Sequence, residues 1–241
     1  MIENILCIIP ARNNSKGIPN KNLQKICGLP LVGYSIRYAI QEGFPLSNIV
    51  VSSDGDEILK YSQSWQVNCH KRPDDLSGDN SSTEDCMLDV LKNAFPFKDF
   101  DSVMLLQPTS PIRFKGRVQE AINLYASQNY DSLLSVNKMY PFFWQKKKDD
   151  NLNRDYIVST YPPRSRPMRQ QIPREDLMYF ENGNMYITKV PVLLETKCRI
   201  GSNPYLYEIS DIESMQIDNP SDLQIFNKVI SSSVLRTECK M

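Results

Sequence analysis

"ILCIIPARNNSKGIPNKN", Ile5 to Asn22, decides the fold. Ile5 to Pro10 is apolar without alternation, the pattern of a strand covered on both faces. The chain then turns at once to Arg, Asn, Ser, Lys, Gly and Pro, and soon after to "GLPLVGYSIRYAIQEG" (Gly28 to Gly43), an amphipathic helical pattern. Strand, polar loop and helix in that order form the first crossover unit of an α/β domain. In that layout the loop lies at the carboxyl edge of a parallel sheet, where ligands bind.

Working outward, strand-like runs recur at Asn48 to Ser53, Ser102 to Gln107 and Asp131 to Val136. Helical patterns lie between them, at about Leu31 to Glu42, Asp56 to Gln66, Ser82 to Ala94 and Gly116 to Gln128. This alternation predicts parallel crossover units. In the first helix Leu31, Tyr34 and Tyr38 share a side that Val32, Ile36, Ala39 and Ile40 widen, so these are core residues.

After Val136 the period breaks into a long tract of Pro, Arg, Lys and aromatics, too long for an ordinary loop. It reads as an inserted lobe over about 138–186, with short strands of its own, in a single domain spanning 1–241. "LMYFENGNMYITK" (Leu177 to Lys189) carries an Asn-Gly pair between apolar runs and predicts a hairpin or sharp turn. "MQIDNPSDLQIFNKVISSSVL" reads as a strand, a turn and a closing helix, with Asn219 as cap and Pro220 in its first turn.

The 241 residues include 28 Lys plus Arg and 28 Asp plus Glu, which argues against a nucleic-acid binder and makes any anion site local. Six cysteines without a C-x-x-C pair predict reduced thiols rather than a disulfide or zinc framework. Glu3 and the short apolar run before Pro10 do not make a signal peptide, and no apolar segment has the length of a membrane span. A cytoplasmic protein without membrane or nucleic-acid partners is the expectation.

The opening loop has neither the ATPase phosphate-loop spacing nor G-x-G-x-x-G. Its cations Arg12, Lys16 and Lys21, with backbone N–H groups freed around Gly17, form either a polyphosphate pocket or a solvated basic loop.

"PARNNSKGIPNKN" resembles the P-A-R-x-x-S-K-G-x-P-x-K-N signature of the CMP-sialic acid synthetases, cytidylyltransferases that activate nine-carbon nonulosonic acids. "VSSDGDEI", "LLQPTSPIR", "RPMRQ", "YFENGNMYI" and "IDNPSDL" follow in the family's order, so the resemblance runs from about Ile5 to Phe226. It implies a Rossmann-like three-layer α/β/α fold of the nucleotide-diphospho-sugar transferase type, mainly parallel, with an inserted dimerisation lobe. It also implies a magnesium cofactor (manganese as a substitute), CTP and a nine-carbon sugar acid as substrates, and a homodimer that exchanges the lobe.

By the same resemblance Ala11, Arg12, Asn13, Ser15, Lys16, Gly17, Lys21 and Asn22 hold the nucleotide, with Arg12 and Lys21 on the triphosphate. Positive charge there offsets the charge that builds on departing pyrophosphate. An amide such as Asn22 suits a base edge. Asp54 serves ribose or metal organisation, or caps the following helix, and Ser82 serves the nucleotide or a helix cap. Gln107, Arg169 and Gln170 fall on sugar-acid positions, and an Arg fork suits a carboxylate; Tyr179, Phe180 and Asn182 fall there less firmly, the aromatics serving the sugar site or core packing. Phe142, Phe143 and Trp144 line the sugar pocket or pack a dimer.

Where the family has I-D-I-D, this chain has "MQID": Asp218 keeps one acid and Gln216 replaces the other. On a strand the two would point the same way and share the metal. The single histidine, His70, lies far from every motif in sequence, so neither a histidine base nor a Ser-His-Asp arrangement is expected. Catalysis is then positional and electrostatic, with Arg12, Lys21 and Asp218 as the catalytic set. The alternatives are a synthetase for the eight-carbon acid Kdo, a non-catalytic binder of nucleotide or sugar acid, and, least favoured, a glycosyltransferase of similar topology.

Overall fold

The computed structural model describes residues 1–13, 15, 17–78, 80–95, 100–149 and 154–231. Along the chain come β1 (Ile5–Pro10), a small ribbon of β2 (Lys25–Ile26) and β3 (Leu29–Pro30), α1 (Leu31–Gln41), β4 (Ile49–Ser53) and α2 (Asp56–Gln63). Then follow β5 (Asn68–Lys71), α3 (Thr83–Asp89), β6 (Ser102–Leu105), α4 (Arg117–Ser127) and β7 (Ser132–Met139). A ribbon of β8 (Trp144–Asp149) and β9 (Arg154–Ser159) precedes β10 (Met178–Lys189), α5 (Val190–Thr196), β11 (Pro204–Glu208) and α6 (Pro220–Ser231).

Seven strands form one sheet in the order β11-β7-β10-β6-β1-β4-β5, with β6 central and β1 beside it. All its neighbours pair parallel except β10, which runs antiparallel to both β6 and β7. The fold is thus a mainly parallel, Rossmann-like α/β/α sandwich, as the alternating pattern predicts. Ile5, Cys7 and Ile9 face a layer containing Val32 and Ile36 of α1 and Val118 and Ile122 of α4. Leu6 and Ile8 face the other layer, with Cys86 and Met87 of α3 and Leu193 of α5. Burial of each such large side chain contributes about 1.5–3 kcal/mol. A third, smaller core joins Ile18 of the opening loop to Ile217 and to Phe226 and Ile230 of α6, and so clamps the loop against the carboxyl-terminal segment.

Three expectations are corrected. Asn-Gly at Asn182–Gly183 makes no hairpin: β10 is one strand, and Gly183 at φ +70° sits in a bulge where the register against β7 shifts between Glu181 and Tyr186. Both runs flanking the pair bond to the same neighbour, and a bulge uses a left-handed glycine as readily as a turn does. The bulge also places Asn182 to Tyr186 in the central sheet, so the insertion is shorter than 138–186: it leaves the sheet after β7 and returns on β10. "MQID" is not a strand, because the backbone N–H groups of Asp218 and Asn219 donate to Asp222 Oδ2 at the start of α6. Asn219 does cap that helix, its Oδ1 accepting from Asp222 N at 3.2 Å.

The inserted lobe carries the β8–β9 ribbon and an aromatic cluster in which Phe142 and Trp144 each pack edge-on against Tyr161. The cysteines among the described residues are free thiols. No helix there is long and apolar enough to cross a membrane.

Candidate active site

At the carboxyl edge of the sheet opens a cleft of about 280 Å³. It is lined by Arg12, Ser15, Lys21 and Asn22 of the opening loop, Arg72 after β5, Ser81 to Thr83 at the start of α3, and Gln107 after β6. Three cations and no carboxylate line it among the described residues, which makes it an anion site by charge.

Neighbouring strand ends hold the loop in place. Ala11, fully buried, donates its N–H to Ser52 O at 2.9 Å. Asp54 accepts the Asn13 N–H at 2.7 Å, so it anchors the loop; the helix-cap position falls to Gly55 instead. Asn22, buried, donates Nδ2 to Arg12 O at 2.7 Å and thereby shapes the turn that carries Arg12. Lys21 Nζ bonds Ile217 O at 3.2 Å and Asp218 Oδ1 at 3.3 Å. Gly17 is pressed against the same segment: a Cβ there would lie 2.2 Å from Asp218 O. Lys16 lies outside the described residues.

The segment that brings Asp218 to Lys21 is bolted from below. Glu213, only 1% exposed, accepts from Phe114 N, from Arg117 Nε and Nη2 and from Ser210. Ile217 N donates to Thr109 O at 2.9 Å. Because this segment is irregular, Gln216 and Asp218 do not share a direction. Gln216 Nε2 donates to the Asn182 carbonyl, whereas Asp218 faces Lys21. Gly183 admits this packing, since a Cβ on it would meet Gln216 Nε2 at 2.4 Å and Gln107 Oε1 at 2.7 Å.

Arg113, buried without a carboxylate hydrogen-bond partner among the described residues, fixes the loop after β6 through Gln107 O at 2.7 Å, Asn184 and Ser35. Burial pulls its guanidinium down to about 10. Ser82 caps α3 in a reciprocal box: its Oγ accepts from Asp85 N and donates to Asp85 Oδ2. The hydroxyl is therefore committed to the cap even though Ser82 borders the cleft.

Arg169, Gln170 and Tyr179 do not reach the cleft within one chain. Arg169 and Gln170 are exposed in the lobe, with the Arg169 guanidinium 5.3 Å from the Tyr140 ring centroid. Tyr179 and Phe180 are exposed on the outer part of β10, and Glu208 beside Tyr179 pushes its hydroxyl up. Asn182 is fully buried, Oδ1 accepting from Ser135 Oγ and Nδ2 donating to Asn137, so its side chain builds the bulge.

Two residues escape the sequence reading. Arg72, 6% exposed, enters the cleft with Nε on Ser52 Oγ at 3.2 Å and Nη2 on Ser52 O at 2.8 Å. His70, expected to stand apart, is paired across the sheet with Ser52 and lies directly behind Arg72. A Ser52–His70–Asp89 line does form, contrary to expectation, but Ser52 is fully buried and takes a hydrogen bond from Arg72, so it is no nucleophile. "HKRP" gives no local sign of either role, which arises from register alone.

Residues 6–158 match the family described as cytidylyltransferase. The chain belongs to the cytidylyltransferase family. It is 32% identical over 90% of its length to N-acylneuraminate cytidylyltransferase A of Danio rerio, covering 48% of that protein. It is 28% identical over 90% of its length to N-acylneuraminate cytidylyltransferase of Streptococcus agalactiae serotype V, covering 51% of it. The chain thus spans about half the length of those curated relatives. A solved CMP:2-keto-3-deoxy-manno-octonic acid synthetase, complexed with CTP, superposes with TM-score 0.65 at 16% identity over 95% of this chain and 99% of that one. The 4-diphosphocytidyl-2C-methyl-D-erythritol synthase of Anaerococcus prevotii does so with TM-score 0.66 at 12% identity over 96% and 97%. Both likenesses establish the nucleotidyltransferase fold.

Proposed function

We propose that this cytidylyltransferase transfers CMP from CTP to the anomeric hydroxyl of a nonulosonic acid, releasing pyrophosphate. The observation that carries the reading is the convergence of Arg12, Lys21 and Arg72 on one cleft at the sheet's carboxyl edge. The names of the curated relatives support the sugar acid as acceptor. In the reaction the hydroxyl oxygen forms a bond to the α-phosphorus, the bond to the bridging oxygen of the leaving pyrophosphate breaks in line, and the hydroxyl proton leaves to solvent. Arg12, Lys21 and Arg72 orient the triphosphate and offset charge on the leaving group.

The residues present suit a magnesium ion. Asp218 offers one exposed carboxylate at the rim, beside Lys21, and no cluster of three or more potential ligands occurs among the described residues. Magnesium in such enzymes takes one or two carboxylates and fills the rest with phosphate oxygens and water. Asp218 would hold it, with the Gln216 amide nearby; when bound, the ion supplies positive charge to the phosphates.

A homodimer accounts for Arg169, Gln170 and Tyr179, which do not line the cleft of their own chain. The exposed apolar side chains of the lobe, among them Ile157 and Met168, supply contact surface for it. The test mixes the protein, CTP, magnesium and a panel of sialic, legionaminic, pseudaminic, deaminated and Kdo acids, and follows pyrophosphate. Release with a nine-carbon acid is expected. Release with Kdo alone would move the activity to the eight-carbon acid, and none with any acid would leave a binding protein.

A further inference from the structure

Behind the cleft the side chains form a line with a fixed direction. Arg72 Nε can only donate, so Ser52 Oγ, 3.2 Å away, accepts from it and turns its own proton toward His70 Nδ1 at 3.0 Å. His70 Nε2 faces Asp89 Oδ2 at 3.2 Å, a charge contact without hydrogen-bond alignment, and Asn93 Nδ2 fixes the other carboxylate oxygen at 2.5 Å. Ser52 is fully buried and His70 is 8% exposed. Arg72 Nη1 has no partner among the described residues, and Arg72 lines the cleft.

We propose that His70 is a positioning residue for the nucleotide: as the neutral Nε2–H tautomer, set by Asp89, it locks Ser52, which aims the Arg72 guanidinium at the phosphates. The proposal rests on the cytidylyl-transfer reading for the identity of the anion, and on register and contacts for the line itself. A neutral ring is essential, because a proton on Nδ1 would make Ser52 Oγ an acceptor from both sides and put a second cation against Arg72. The titratable or charged groups around the ring are Asp89 and Cys86 of α3 and Arg72. Burial, and then Arg72, hold the imidazole below its ordinary range against the opposing pull of Asp89. Phosphate bound at Arg72 would offset the guanidinium charge and raise it.

His70 is the only histidine, so nitrogen-15 NMR of the wild-type chain reads it without ambiguity. The expected result is the Nε2–H tautomer at pH 7.5, with a titration midpoint that rises on adding CTP and also in Arg72→Gln. An Nδ1–H tautomer, or a midpoint indifferent to both changes, would overturn the proposal. In steady-state assays Ser52→Ala should raise KM for CTP about tenfold while kcat stays within about threefold, since it removes one buried orienting hydrogen bond. His70→Asn, whose amide oxygen replaces Nδ1 but does not titrate, should keep KM near wild type at pH 7.5 and lose the rise of KM relative to wild type at pH 5.5. The nucleotide's own titration is common to both proteins and cancels. Unchanged KM in Ser52→Ala would reject the relay while cytidylyl transfer stands. A wild-type chain that neither binds CTP nor releases pyrophosphate would reject the function instead, with the tautomer and the Arg72→Gln shift still deciding the relay.

Discussion

Gly17→Ala should disable the enzyme while leaving it folded. The added methyl would sit 2.2 Å from Asp218 O, where a carbon–oxygen contact needs about 3.3 Å, so about 1 Å must be found. No rotamer can supply it, because both partners are backbone. Nor can Asp218 retreat freely: its N–H is held by Asp222, and the adjoining Ile217 is held by Thr109 and Lys21. The opening loop therefore moves, carrying Lys21 off its 3.3 Å contact with Asp218. Misplacement on that scale costs up to about 100-fold in rate, whereas overpacking costs about 1–3 kcal/mol of stability, or roughly 2–12 °C in Tm. Pyrophosphate release and thermal unfolding measure the two effects separately. Gly28→Ala is the control: nothing lies within 4 Å of its Cβ, but φ is +87°. It should cost about 1 kcal/mol without touching turnover. Gly17→Ala turning over within threefold of wild type, or Gly28→Ala losing as much activity, would refute the reasoning.

Arg12→Ala should lower kcat/KM by about 100- to 1000-fold through lost charge stabilisation, with Tm nearly unchanged; a near-normal rate in the pyrophosphate assay would reject its phosphate role. Gln216→Asp should lower the magnesium concentration needed for half-maximal activity, at a stability cost of about 1–3 kcal/mol because the Asn182 carbonyl loses its donor. An unmoved magnesium titration would show that this side chain is remote from the ion. Asp131 accepts from Ser132, from Asn203 N and from both N–H and hydroxyl of Ser202; partial burial works against them, yet these bonds hold its carboxyl below the usual range. Its stabilisation is thus present above about pH 4 and lost as pH falls through the depressed value. Asp131→Asn should lower Tm at pH 7, with the gap to wild type closing below pH 4; a gap constant with pH would contradict this account.

The strands that could be read in advance are those whose position dictates composition. β1, β4 and β6 are buried on both faces, so "ILCII", "IVVSS" and "SVML" show little but small or apolar residues. β5 and β11 lie at the two sheet edges, where "NCHK" and "PYLYE" carry no such demand, and both escape notice. The candidate site divides along the same line. Arg12, Lys21, Gln107 and Ser82 follow strand ends or open a helix, so alternation alone sends them to one edge of the sheet. Asp218 depends on an irregular segment whose path is set by Arg117, through Glu213, and by Thr109, both far away in sequence. Arg72 is further from view still, because its aim depends on Ser52 standing opposite His70, a fact of register between two strands. Motifs therefore disclose the groups placed to meet a ligand, while the groups that hold them steady are written across elements. It follows that a substitution behind the cleft, such as Ser52→Ala, should act on the same kinetic constant as one within it, although Ser52 itself is fully buried.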